Sequence, residues 1–191
     1  MLLAVDIGNT NIVFGCVTEN DEIVVFERIS TNHNATAAEY AVLIRTLLEM
    51  NNFRCEEITD AVMSSVVPSV TNTVKEAIKK LFKVDVMVAG PGVKTGLNIL
   101  IDNPAQLGAD LAAGAVGAVN EYPLPAFIVD LGTATKICAV DKNKGFRGCM
   151  IAPGVQISLK ALTDTSSLLP TISLEPPKKA CGTNTVESMQ S

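Results

Sequence analysis

The sequence predicts an α/β protein built from two related halves, each opening on strands that flank a phosphate-binding turn. Two observations carry that expectation. The segment Asp6-Ile7-Gly8-Asn9-Thr10, behind Leu2-Leu3-Ala4-Val5, recurs as Asp130-Leu131-Gly132-Thr133-Ala134-Thr135 behind Ala126-Phe127-Ile128-Val129. Repetition of one unit in matching contexts is the mark of internal duplication. The chain of 191 residues is also 48% hydrophobic with no Trp, so its core is aliphatic. Such a core suits a Val/Ile/Leu-rich sheet covered by helices.

The elements follow in order. Leu2–Val5, Ile12–Val17 and Glu22–Ile29 read as strands, and Glu19-Asn20-Asp21 supplies the second turn of an antiparallel meander. Thr36-Ala37-Ala38-Glu39 is a capping-box signature. Behind it Tyr40, Leu43, Ile44, Leu47 and Leu48 share one helical face. Ala61–Val67 is a buried-type strand ending at Pro68, and Ser69–Phe82 is a helix with Val70, Val74, Ala77, Ile78 and Leu81 inward. Val84–Val88 is the next strand. Gly90-Pro91-Gly92 and Thr95-Gly96 mark an irregular loop. Asn103, with Pro104 next to it, predicts the start of a helix running to Glu121.

Tyr122-Pro123-Leu124-Pro125 is a rigid break, which puts a first lobe at residues 1–122 and a second at 123–191. The three-strand pattern then restarts with Ala126–Val129, Ile137–Val140 and Phe146–Ala152, Asp141–Gly145 being the turn. Pro153-Gly154 opens a helix to about Leu162. Asn184-Thr185-Val186-Glu187 looks like one more helix start.

Composition excludes several classes. The net charge is −5 and Lys and Arg do not cluster, which argues against nucleic acid as a partner. The five cysteines form no C-x-x-C pair and their number is odd, as expected of free thiols in a reducing cytoplasm. His33 is the one histidine and sits in a polar stretch, so a Cys/His zinc site is not expected. The apolar stretch Leu111–Val119 is too short to span a membrane, and Asp6 interrupts the first apolar run, so neither span nor signal peptide is expected.

The repeated segment carries the chemistry. Glycine lets the backbone approach a phosphate, and successive N–H groups can point at its oxygens. Asn9, Thr10 and Asn11 add donors in the first copy; Thr133 and Thr135, beside Gly132, add them in the second. Asp6 suits a cation or its bound water. Asp110 lies among Leu107, Ala109, Leu111, Ala112 and Ala113, surroundings in which a carboxylate can accept a proton from a hydroxyl. Lys136 beside the second turn reads first as a solvated or snorkelling lysine, with an anion contact as the second reading.

Two halves of βββαβα order resemble the actin-like ATPase superfamily, with ribonuclease H-like lobes of mixed sheet and flanking helices. Within it, an ordered set of segments resembles the type III pantothenate kinases. The set comprises Asp6-Ile7-Gly8-Asn9-Thr10-Asn11, Ser64-Ser65-Val66-Val67-Pro68, the loop Gly90 to Leu97 and Asn103-Pro104-Ala105-Gln106-Leu107-Gly108-Ala109-Asp110. It continues with the Asp130 turn, Ile151-Ala152-Pro153-Gly154 and Gly182-Thr183-Asn184-Thr185.

The resemblance implies ATP-dependent phosphorylation of pantothenate, the first step towards coenzyme A, in a cytoplasmic homodimer. It implies Asp110 as general base. Asp6, Gly8, Asn9, Thr10, Asn11, Gly132, Thr133 and Thr135 would bind ATP, with Mg²⁺ held by Asp6 through water. It gives Asp130 a monovalent cation, K⁺ or NH₄⁺. Gly92, Thr95, Gly96 and Gly108 would bind pantothenate, and Thr183, Asn184 and Thr185 would close the pocket of the neighbouring subunit. Within the sequence itself, the Ala/Gly-rich face Ala112, Ala113, Val116 and Val119 suits close packing, either in the core or across a two-fold. Leu111 stands where the family has Arg, Lys136 follows Thr135 where it has a second Thr, and Gly148-Cys149 replaces a Gly-Gly pair. Family chains also extend past the position of Ser191. The chain is therefore expected to be C-terminally truncated, with apolar surface exposed on its second lobe. A nucleotide-binding paralogue without turnover, another kinase or phosphatase of the superfamily, and a non-enzymatic regulator are the competing readings.

Overall fold

Strands β1 (Leu2–Ile7), β2 (Asn11–Val17) and β3 (Ile23–Ser30) form the antiparallel meander that the sequence predicts. This computed structural model describes every residue except Pro91, so that member of the predicted loop lies outside it. Next come α1 (Ala37–Met50), β4 (Asp60–Ser65), α2 (Pro68–Phe82) and β5 (Val86–Val88). β4 lies parallel to β1, and β5 parallel to β4, giving the sheet order β3–β2–β1–β4–β5.

Alternation decides the buried face. Leu3, Val5 and Ile7 of β1 and Ile12, Phe14 and Cys16 of β2 are buried, together with Ile44 and Leu48 of α1 and Val74 and Ile78 of α2. Each such side chain contributes about 1.5–3 kcal/mol by leaving water. The capping box of α1 is present: Thr36 N–H donates to Glu39 Oε2 at 2.7 Å, and Glu39 N–H donates to Thr36 Oγ1 at 3.3 Å.

The structure differs from expectation at several places, among them a longer β8, Ala134–Val140 rather than Ile137–Val140, and three with a visible local or pairing cause. β4 stops at Ser65 rather than Val67, because the Ser65 hydroxyl accepts the Val67 N–H at 3.1 Å and Pro68 takes the first position of α2. The helix expected from Asn103 is interrupted. Asn103 caps only a 3₁₀ turn, Pro104–Gln106; Leu107 and Gly108 are extended, and α3 (Ala109–Glu121) starts from Gly108. A two-residue strand, β6 (Asn98–Ile99), pairs parallel with Gly145 and Phe146 where only loop was expected. Two residues carry no periodicity to read.

The second half supplies β7 (Ala126–Leu131), β8 (Ala134–Val140), β9 (Gly145–Pro153), α4 (Val155–Thr165) and α5 (Thr185–Gln190). Its sheet runs β6–β9–β8–β7. The chain divides into two compact units. The first holds Met1–Ala126 with Val140–Gly148, and the second holds Phe127–Ala139 with Cys149–Ser191. In the second unit Phe127, Val129 and Leu131 of β7 are exposed, as are Met150 and Ile151 of β9. No described helix is long and apolar enough to cross a membrane.

Candidate active site

The first turn is held by its own backbone. Gly8 N–H donates to Asn11 O at 2.9 Å, and the Thr31 hydroxyl donates to Gly8 O at 2.6 Å. Thr31 N–H donates to Thr10 O at 2.9 Å, tying the turn to the end of β3. A Cβ on Gly8 would meet Asn11 O at 3.1 Å, closer than side chains ordinarily come. Asn9 and Thr10 are exposed at the tip. In the parallel register Asp6 sits beside Ser64, and Ile7 beside Ser65. The turn therefore lies at the carboxyl ends of the parallel strands, where open α/β sheets bind ligands.

A cavity of about 470 Å³ opens on the sheet face opposite the main core. Asp6 of β1, Ser64 of β4 and Asp110 of α3 line it, among apolar neighbours such as Val13, Val62 and Ala113. Asp110 and Asp6, at the start of the first turn, thus line one cavity of the first unit, whereas Gly8, Asn9, Thr10 and Asn11 are not part of its lining. Asp110 is in the first turn of α3, where a carboxylate is favoured by the helix dipole. A Cβ on Gly108 would stand 2.5 Å from Asp110 Oδ1, so Gly108 leaves room for that carboxylate.

Ser64 was not among the expected site residues. Its Oγ is buried and without a hydrogen-bond partner, and a buried polar atom so placed needs a ligand or a water to satisfy it. Sequence offered only its place in the Ser64–Pro68 segment as a signal.

The second turn belongs to the second unit. Gly132 N–H donates to Ala134 O at 3.2 Å, and Gly154 N–H, at the start of α4, donates to Thr133 O at 3.1 Å. A Cβ on Gly154 would overlap the carbonyl oxygens of Gly132 and Thr133 and lie 2.9 Å from the Thr133 carbonyl carbon. The I-x-P-G element thus fits against the second turn, a contact that sequence spacing does not show. Lys136 Nζ lies 2.7 Å from Asp130 Oδ2, with its side chain 18% exposed against 48% for Asp130.

Other expected site residues lie apart from the cavity. Gly92 and Gly96 have positive φ, 93° and 75°, and Thr95 Oγ1 accepts the Leu97 N–H at 3.3 Å. None of the three lines the cavity. The Thr183 hydroxyl donates to Glu187 Oε2 at 3.1 Å and Asn184 Oδ1 accepts the Glu187 N–H at 2.9 Å, so Asn184 caps α5, whose first residue is Thr185, and Thr183 holds the Glu187 side chain beside that cap. Burial pushes the Cys16 thiol up to about 11, and the N–H groups of Gly145 and Asn143 hold the Asp141 carboxyl below its usual range. Among the described residues no group of three or more Cys, His, Asp and Glu is arranged to hold a metal by itself.

Comparison with known proteins supplies a family. The model of the type III pantothenate kinases matches residues 2–191. A type III pantothenate kinase of Halalkalibacterium halodurans is 44% identical over the whole chain, which covers 75% of that relative. One from Shouchella clausii is 40% identical with the same coverage. Among solved structures, the activator of the 2-hydroxyisocaproyl-CoA dehydratase from Clostridium difficile, with bound ADPNP, aligns with a TM-score of 0.52 at 15% identity. That alignment covers 98% of this chain and 62% of the activator, and it speaks for the fold alone. The fold class is that of the actin-like ATPases, as the duplicated turns led one to expect.

Proposed function

We infer that this chain, which belongs to the type III pantothenate kinase family, is an ATP-dependent phosphotransferase that converts pantothenate to 4'-phosphopantothenate, the first step of coenzyme A biosynthesis. The observation that carries the catalytic assignment is the cavity that brings Asp6, Ser64 and Asp110 together. Asp110 is the general base: it takes the proton of pantothenate's terminal hydroxyl as that oxygen attacks the γ-phosphorus and ADP leaves. Its place at a cavity wall with apolar neighbours supports this role.

Gly8, Asn9, Thr10 and Asn11 of the first turn, and Gly132, Thr133 and Thr135 of the second, are the phosphate-binding residues of this reading. The backbone does most of this work by holding donors in place before the substrate arrives. Asp6 is an exposed carboxylate at the cavity, the oxygen donor a hard divalent cation prefers. Mg²⁺ held there through water would neutralise phosphate charge. The monovalent cation that the resemblance assigns to Asp130 does not fit, since the Lys136 ammonium already stands against that carboxylate.

Gly92, Thr95, Gly96 and Gly108 take part in holding pantothenate, Gly108 by leaving space for Asp110. Thr183, Asn184 and Thr185 serve the pocket of a second copy in a homodimer, which light scattering at high concentration checks. We place the two halves at residues 1–122 and 123–191, and the reaction in the cytoplasm, where free thiols such as Cys16 and Cys55 stay reduced.

ADP release coupled to a reporter, run with pantothenate, simple sugars, polyphosphate and no acceptor, tests the reading. Release with pantothenate alone supports it. Release with a sugar or polyphosphate replaces the acceptor, and nucleotide binding without any release makes the chain a non-catalytic paralogue.

A further inference from the structure

Lys136 follows the second phosphate turn directly and reaches back to it. Its Nζ is 2.7 Å from Asp130 Oδ2, and its side chain is more than four-fifths withdrawn from solvent. An ammonium group gives up hydration at that depth where an anion compensates, and Asp130 is such an anion. Neither turn contributes a cation of its own: residues 6–10 and 130–135 contain no Lys or Arg. Phosphate bound at either turn therefore needs positive charge from elsewhere.

A lysine head group is a compact ammonium with three N–H donors. Against Asp130 it presents the charge that a free NH₄⁺ or K⁺ would bring, and a second monovalent cation at the same carboxylate would be repelled by it. We propose that the Lys136 ammonium takes the place of a diffusible monovalent cation: held by Asp130, it is a phosphate-site cation built into the chain. Nucleotide binding and phosphoryl transfer then require Mg²⁺ but neither K⁺ nor NH₄⁺. The proposal rests on the reading of this turn as a nucleotide phosphate site.

The test is a cation series on the wild-type protein, Lys136→Thr and Lys136→Arg, in K⁺, NH₄⁺ and choline buffers of equal ionic strength. Two quantities are read: the Kd for Mg-ATP by calorimetry without any acceptor, and ADP release with pantothenate. For the wild type, Kd and rate agree within about twofold across the three cations. Lys136→Thr loses a charge-assisted contact, so in choline its ATP affinity drops ~10-fold or more. K⁺ or NH₄⁺ restores it. Lys136→Arg keeps the charge and stays indifferent to the cation. A wild type that needs K⁺ to bind ATP overturns the proposal, and so does a folded Lys136→Thr that binds ATP equally well in choline. Should Lys136→Thr not fold, the wild-type series and Lys136→Arg still decide. The binding arm contains no pantothenate, so an incorrect acceptor assignment shows as lost release with the cation pattern of ATP binding intact.

Discussion

Replacing Gly108 by alanine asks whether turnover depends on where the Asp110 carboxylate rests. Gly108 has φ −59° and ψ 142°, a conformation alanine adopts without strain, so the position does not need glycine for its backbone. It needs glycine for space. A Cβ there would lie 2.5 Å from Asp110 Oδ1 and 3.7 Å from its Cγ. Carbon–oxygen contacts settle at roughly 3.3 Å or more, so the carboxylate oxygen must move by about 0.8 Å. The atom in the way is the end of a side chain, and it can swing aside. Stability should therefore change by less than about 1 kcal/mol: alanine is a poorer helix cap than glycine, and its stiffer unfolded chain offsets part of that. The rate is more exposed, because a misplacement near 1 Å costs on the order of 10²-fold, or about 3 kcal/mol of barrier. The assay is ADP release at saturating ATP and pantothenate, with a thermal melt on the same sample. The expected outcome is an almost unchanged Tm, an unchanged KM for ATP and a kcat lowered between ~10- and 100-fold. Wild-type kcat in Gly108→Ala would falsify the claim that this glycine positions the base. Loss of the folded state would refute the account of its backbone.

Asp110→Asn keeps the shape and removes the proton acceptor, so ATP still binds while turnover falls ~10²–10⁴-fold; near-normal turnover in single-turnover mixing removes Asp110 from the role. Gly154→Ala pushes a Cβ into the backbone of the second turn, which cannot swing aside, and should cost about 1–3 kcal/mol of stability along with ATP affinity, read by chemical denaturation and calorimetry. Cys16 is protonated in the fold up to about pH 11 against an ordinary 9.0, so the folded state holds more protons than the unfolded one between those values. Its stabilising effect is complete below pH 9 and lost as pH rises through 11. Cys16→Ala should flatten that slope in urea melts taken at successive pH, and an unchanged slope assigns it to other groups.

The first half of the fold was legible because each of its signals is local. Leu3, Val5 and Ile7 alternate, Thr36 and Glu39 form a box within one turn, and Tyr40, Ile44 and Leu48 recur at helical spacing. Each pattern is fixed by backbone geometry alone. The misread positions are those where local signals compete or a distant partner decides. Asn103 has every mark of a helix start, yet Leu107 and Gly108 turn the chain and α3 begins at Ala109. β6 exists because Asn98 and Ile99 meet Gly145 and Phe146, more than forty positions away.

The candidate site divides along the same line. The duplicated Asp-x-Gly segments announce two turns, but not what stands beside them. The parallel register of β1 and β4 puts Ser64 next to Asp6, and the break at Gly108 presents Asp110 to the same cavity. Neither relation follows from spacing, because both are set by pairing between segments far apart in sequence. Lys136 makes the point most sharply. Its identity alone reads as a solvated lysine, since most lysines keep the head group in water. Its burial against Asp130 turns a departure from the family pattern into an ion pair beside the second turn. On the proposal made above, lysine supplies covalently the cation that a Thr would leave to solution. A tethered ammonium loses no translational freedom when it binds and is not diluted at low salt. The substitution therefore predicts a kinase whose ATP binding is indifferent to the monovalent ion around it.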